Sequence, residues 1–114
     1  MPLYMLRFGY KPEIWAELIR RPANREEALG RILEEAGCTL HGLWYALGDA
    51  DGFTLVEAPD NTTAAAVAIA IVSSGAFRKL ETTAVMTQEE LLEALHVASG
   101  VYYTPPIDTS SRKA

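Results

Sequence analysis

The chain alternates between segments dense in branched and aromatic residues and segments whose apolar positions recur every three or four residues. Leu3 to Tyr10 belongs to the first kind and predicts a strand. Pro12 then suits a first helical turn, where its missing N–H costs nothing, and Glu13 complements the positive end of the helix dipole. Ile14, Trp15, Leu18 and Ile19 form a helical stripe, which Pro22 interrupts because its ring cannot continue a regular helix. Asn24 and Glu27 resemble a capping box for a second stretch. Ala28, Leu29, Ile32, Leu33 and Ala36 are its expected buried face, and Gly37 closes it. The pattern predicts one helical arm with a kink or short break.

Thr39 to Leu47 and Phe53 to Ala58 read as the next two strands. The Gly48-Asp49-Ala50-Asp51-Gly52 connection between them predicts a hairpin turn, since such residues accept positive φ cheaply. Pro59 stops the third strand, and Asp60 caps a helix running to about Ser74 with Gly75 as terminator. Phe77 to Met86 predicts the fourth strand. Thr87 and Glu90 form another capping box for a helix bearing Leu91, Leu92, Leu95 and Val97 and ending at Gly100. The order is β-α-β-β-α-β plus a C-terminal helix: an α+β, ferredoxin-like fold with a four-stranded antiparallel sheet. Residues 1–100 form that domain. Residues 101–114 form an irregular tail, broken by Pro105-Pro106, whose last residues are expected to be mobile.

The strands do not alternate as a sheet with one wet face would. In the first, Tyr4, Leu6, Phe8 and Tyr10 oppose Leu3, Met5, Arg7 and Gly9, and which set faces the helices is open. The helix core Ala64 to Val72 is apolar all round, as for a helix buried on several sides. A chain of this size cannot cover so much apolar surface alone, so a homo-oligomer is expected, most simply a dimer through the open sheet faces.

Composition narrows the function classes. The chain has 114 residues, 49% apolar, and a net charge of −5. That is enough for one core without disulfide or metal. The negative charge disfavours nucleic acid and anionic membranes. No apolar stretch approaches the ~20 residues of a spanning helix. The N-terminus lacks a secretory pattern. Cys38 is the only cysteine, so no internal disulfide forms and a cytoplasmic setting is expected.

The candidate chemistry is sparse. Asp49 and Asp51 are read as caps of their own turn, with a cation or acid–base pair as the alternative. Arg7, His41 and Tyr45, with Glu57 and Glu81, fall on odd positions and could form a polar island on the open face. Such an island suits an anionic small molecule or proton transfer, or else fixes dimer register. Tyr4, Tyr10, Trp15 and Trp44 could line a small-molecule pocket between helices and sheet; the alternative is ordinary core. Tyr102 and Tyr103 suit an arm that packs on a neighbour. His41, His96 and Cys38 fall short of a four-ligand zinc site, and no cofactor is implied. A haem at His96 ranks below an ordinary helix-end histidine.

Several blocks resemble the GYD domain family: Gly42 with Trp44-Tyr45, Gly48-Asp49-Ala50-Asp51, and Val56-Glu57-Ala58-Pro59-Asp60. Tyr10-Lys11-Pro12-Glu13, Gly75-Ala76-Phe77-Arg78, Glu81-Thr82-Thr83 and Thr87 are similar to its other blocks. The resemblance covers about residues 1 to 95. It implies a ferredoxin-like fold like that of dimeric α/β-barrel proteins, and it supplies no reaction and no catalytic residues. Ala50 stands where the family usually places a tyrosine, so any ligand contact made by that ring is lacking here. The first expectation is a self-associating small-ligand-binding domain. The alternatives are a cofactor-independent isomerase or monooxygenase using His41 with Arg7 or Glu57, and a purely structural or interaction module.

Overall fold

A computed structural model describes residues 1–106. Its elements are β1 (Leu3–Tyr10), α1 (Pro12–Arg20), α2 (Arg25–Glu35), β2 (Thr39–Tyr45), β3 (Gly52–Glu57), α3 (Asn61–Ser73), β4 (Phe77–Val85) and α4 (Gln88–Ala98). The fold is α+β and ferredoxin-like, with one antiparallel sheet in the order β2-β3-β1-β4. The expected helical arm is two helices. Pro22 ends the first, and the Asn24 side chain accepts from the Glu27 amide at 3.1 Å to start the second. Asp60 caps α3 through the Thr63 amide at 2.8 Å. Thr87 and Glu90 complete the capping box of α4.

Some boundaries differ from expectation. β2 stops at Tyr45 and β3 begins at Gly52, so Ala46 to Asp51 forms a longer loop than a tight turn. No residue of that loop has positive φ; among the described residues only Gly37 and Gly75 do, each just after a helix. Tail residues 107–114 and the mobility expected there lie outside the described residues.

Tyr4, Leu6, Phe8 and Tyr10 are buried and face the helices, which decides the question of parity for β1. Tyr4 pairs with Val56, and both join Leu6, Leu33, Cys38, Ala58 and Ala64 in the main core. β2 does not keep a single parity. Leu40 lies opposite Val56 and Gly42 opposite Leu55, leaving His41 as one extra residue. That bulge reverses every later side chain of the strand. Gly42 marks it: a Cβ there would lie 2.5 Å from the Trp44 indole.

The single chain leaves much apolar surface uncovered. α3 buries only Ala64, and Ile69 is 68% exposed. None of α4 is buried, and Leu91, Leu92, Leu95 and Val97 are all exposed. The radius of gyration is 19.5 Å, against about 13 Å for a compact domain of 100 residues. An isolated helix of 11 residues is marginal in water, and among the described residues none buries any part of α4.

Candidate functional site

Two arrangements around the sheet could be a site, and their polar groups separate them. The first is the loop before β3. The Asp51 carboxylate accepts from the Tyr10 amide at 2.9 Å and the Trp15 indole at 3.2 Å, and pairs with Arg78 at 3.3 Å. Its backbone bonds Phe8 and Ala46, each at 2.8 Å. Burial opposes its ionisation, but the Tyr10 amide, the Trp15 indole and the Arg78 guanidinium outweigh that and hold the carboxyl below its ordinary range. Asp49 accepts from Lys79 at 2.9 Å, which also lowers its pKa, and its carbonyl accepts from Arg78 at 3.1 Å. Neither aspartate caps its own turn, as the sequence reading had them doing. They tie β1, α1 and β4 to one loop; both carboxylate oxygens of Asp51 have partners, while Asp49 keeps one partner and stays exposed.

Gly52 is sterically constrained there. A Cβ would lie 2.5 Å from the Trp44 carbonyl oxygen and 2.6 Å from the Phe8 ring. Gly48 meets nothing within 4 Å. Gly9 lets the Arg78 guanidinium cross β1, since a Cβ would lie 2.6 Å from it.

The second arrangement is a groove of about 440 Å³ between α2 and α3, floored by the sheet. Arg25, Leu29, Ile32 and Ala36 form one wall, a single stripe at helical spacing on α2. The other wall is the α3 stripe Thr63, Ala66, Val67, Ala70 and Ile71, ending at Ser74. Leu6, Phe8, Leu43, Thr54 and Leu80 make the floor, and Tyr10 and Phe77 close one end. Thr54 is 3% exposed and its Oγ1 has no hydrogen-bond partner. Buried hydroxyls nearly always find one.

At the closed end Tyr10 and Tyr45 place their hydroxyls 3.2 Å apart, within a cluster of rings that includes Phe8, Trp15 and Phe77. Burial, then the bond to Tyr10, push the Tyr45 pKa above its ordinary value, so the phenol stays protonated. Two phenols carry two protons, and their mutual bond uses one.

The remaining candidates lie elsewhere. The bulge turns Tyr45 to the helix side and away from His41, contrary to the odd-position grouping. It turns Trp44 to the open face, stacked on Phe53 with centroids 5.2 Å apart, and not into the helix-side pocket. His41 and Glu57 meet there at 2.8 Å. Arg7 sits opposite Phe53, and Glu57 lies four positions further along β3, or about 13 Å of strand. Arg7 and His41 therefore do not converge. Glu81 pairs with Lys79 at 3.2 Å. Tyr4 belongs to the core and donates to Asn61. Trp15 lines only a separate shallow depression beside Asp51. Among the described residues no three His, Cys, Asp or Glu side chains gather into a metal-binding group. No helix there is long and apolar enough to cross a membrane.

A family model described as the GYD domain matches residues 4–95. The chain belongs to the GYD domain family. No curated protein matches it. In this GYD domain Ala50 is buried between the two tied aspartates and offers no ring to a ligand. The loop blocks that carry the family resemblance thus hold the fold together. The groove is built largely from residues the sequence reading did not single out: Arg25, Leu43, Thr54 and Val67. Only Tyr10 among the proposed pocket aromatics lines it. The α2 stripe was visible as helical spacing. The unpartnered hydroxyl of Thr54 was not.

Proposed function

We propose that this GYD domain is a self-associating small-ligand-binding domain whose ligand occupies the groove between α2 and α3. The observation that carries this reading is the groove itself: about 440 Å³, walled by two apolar stripes, with an unsatisfied hydroxyl on its floor. Ligand pockets are commonly of this size and composition, apolar with a few placed polar groups. Self-association has separate support. The open sheet face carries Leu3, Met5, Phe53, Leu55 and Trp44, the last 47% exposed, and α4 carries four bare apolar side chains. Two copies meeting through their sheets, as in dimeric α/β barrels, would cover the first, and α4 with Tyr102 and Tyr103 would reach the neighbour. The buried, unpaired Cys38 fits a reducing, cytoplasmic setting.

A cofactor-independent enzyme would have to begin from the His41–Glu57 pair, which lies on the opposite face from the groove and without Arg7. The binding reading is therefore preferred. A thermal-shift screen of small metabolites tests it. A compound at about 100 times its Kd adds roughly 2.7 kcal/mol to stability, and Val67→Phe, which narrows the groove, is expected to abolish that gain. A hit indifferent to Val67→Phe would place the ligand elsewhere. Sedimentation velocity tests the second part: a dimer is expected at micromolar concentration, and a monomer contradicts it.

A further inference from the structure

We infer that the groove takes a hydrophobic carboxylate, with its head group held by Arg25 and the Tyr10 phenol, which Tyr45 backs from outside the lining, and its apolar body lying over Leu43 and Thr54. The inference rests on the binding role proposed for the groove and names the chemistry that role would serve.

Every polar feature of the groove's closed end offers a proton. Arg25 is the only charged side chain lining the groove, and among the described residues it enters no ion pair, unlike Arg20, Arg21, Arg31 and Arg78. It lies close enough to Tyr45 to act electrostatically on that phenol. The tyrosine pair has one proton left over after its mutual bond. A guanidinium beside a free phenol proton matches an acceptor-only anion, and a planar carboxylate can take a guanidinium's parallel donors. A cationic head would face Arg25 at the same point, and a neutral hydroxyl would leave the guanidinium without a counter-charge.

Beyond the head the walls are aliphatic, which suits a hydrocarbon body. Thr54 does not interrupt that run: it pairs across the sheet with Leu43, and its Oγ1 is buried beneath the groove surface, so it presents no polar atom to the ligand's body.

Isothermal titration of the full chain with two probes tests this: decanoate and decanol. Decanoate is expected to bind about tenfold tighter than decanol or better, the ratio one charge-assisted hydrogen bond supplies. Arg25→Gln, at an exposed site that should not disturb folding, is expected to bring decanoate down to decanol and leave decanol unchanged. Equal binding of decanol and decanoate to the wild type, both lost in Val67→Phe, overturns the head-group assignment while leaving the groove as the binding site. No binding by any probe overturns the ligand class, and binding that survives Val67→Phe overturns the groove as the site.

Discussion

The loop at Asp51 and the groove at Thr54 adjoin one sheet, yet they treat their polar groups in opposite ways. Asp51 is surrounded by donors from three elements, and each of them is aimed at it. Thr54 is more deeply buried and has none. A saturated carboxylate is a fastening, because a ligand could reach it only by displacing a bond the fold already uses. An unpaired hydroxyl buried beneath the groove surface is a different object: its desolvation is uncompensated, and the groove above it stays apolar. The Gly48-Asp49-Ala50-Asp51 block of the family falls in the first region, and the volume proposed to bind a ligand falls in the second.

The largest effect should come from removing the fastening. Asp51→Ala leaves the Trp15 indole and the Arg78 guanidinium without their acceptor, and hydrogen bonds to charged groups contribute about 1.5–3 kcal/mol each. Urea unfolding should show a loss of about 3 kcal/mol. A loss under about 1 kcal/mol would mean the loop is held by something else. Gly52→Ala should follow at about 2 kcal/mol, typical of forced overpacking, because its Cβ meets backbone and ring on two sides. Gly48→Ala, with nothing nearby, should stay within about 0.5 kcal/mol of wild type. Equal losses at the two glycines would undo the account of the loop.

In the groove the sign reverses. Thr54→Val replaces an unpartnered hydroxyl with a methyl of nearly the same shape, so the ligand-free protein should gain about 1 kcal/mol. A loss there would show that Thr54 has a partner. The smallest effect is the dependence on pH. The folded pKa of Asp51 is held below its unfolded value of about 3.9. Its contribution is therefore complete above that pH and fades as acid carries the protein through the folded pKa. Comparing Asp51→Asn with wild type from pH 6 to pH 2 should show the two stability curves converging below about pH 4. Parallel curves would refute the assignment.

Much of the fold was legible because its signals are local. Pro12, Pro22, Asn24, Asp60 and Thr87 each fix a helix boundary by a mechanism that needs only neighbouring residues. The two faces of β1 were visible as sets, though only the packed helices decide which set is inside. The site was harder to read. One extra residue at His41 carries Trp44 and Tyr45 to faces opposite to those inferred from counting by twos, and the only local trace of it is Gly42. Thr54 sits in an ordinary strand pattern, and whether a hydroxyl finds a partner depends on residues far away in sequence. The two aspartates read in the sequence as caps of their own turn, and the bonds they make instead span up to 41 residues, which no local pattern signals.

The central claim is that the space between α2 and α3 is room for a ligand and not loosely drawn core. Equilibrium unfolding of Val67→Phe without ligand tests it most directly. A packed interior loses about 1–3 kcal/mol when a side chain is enlarged, whereas a ring entering an open groove of about 440 Å³ should leave stability at or above the wild-type value. A loss of about 2 kcal/mol or more would contradict the account.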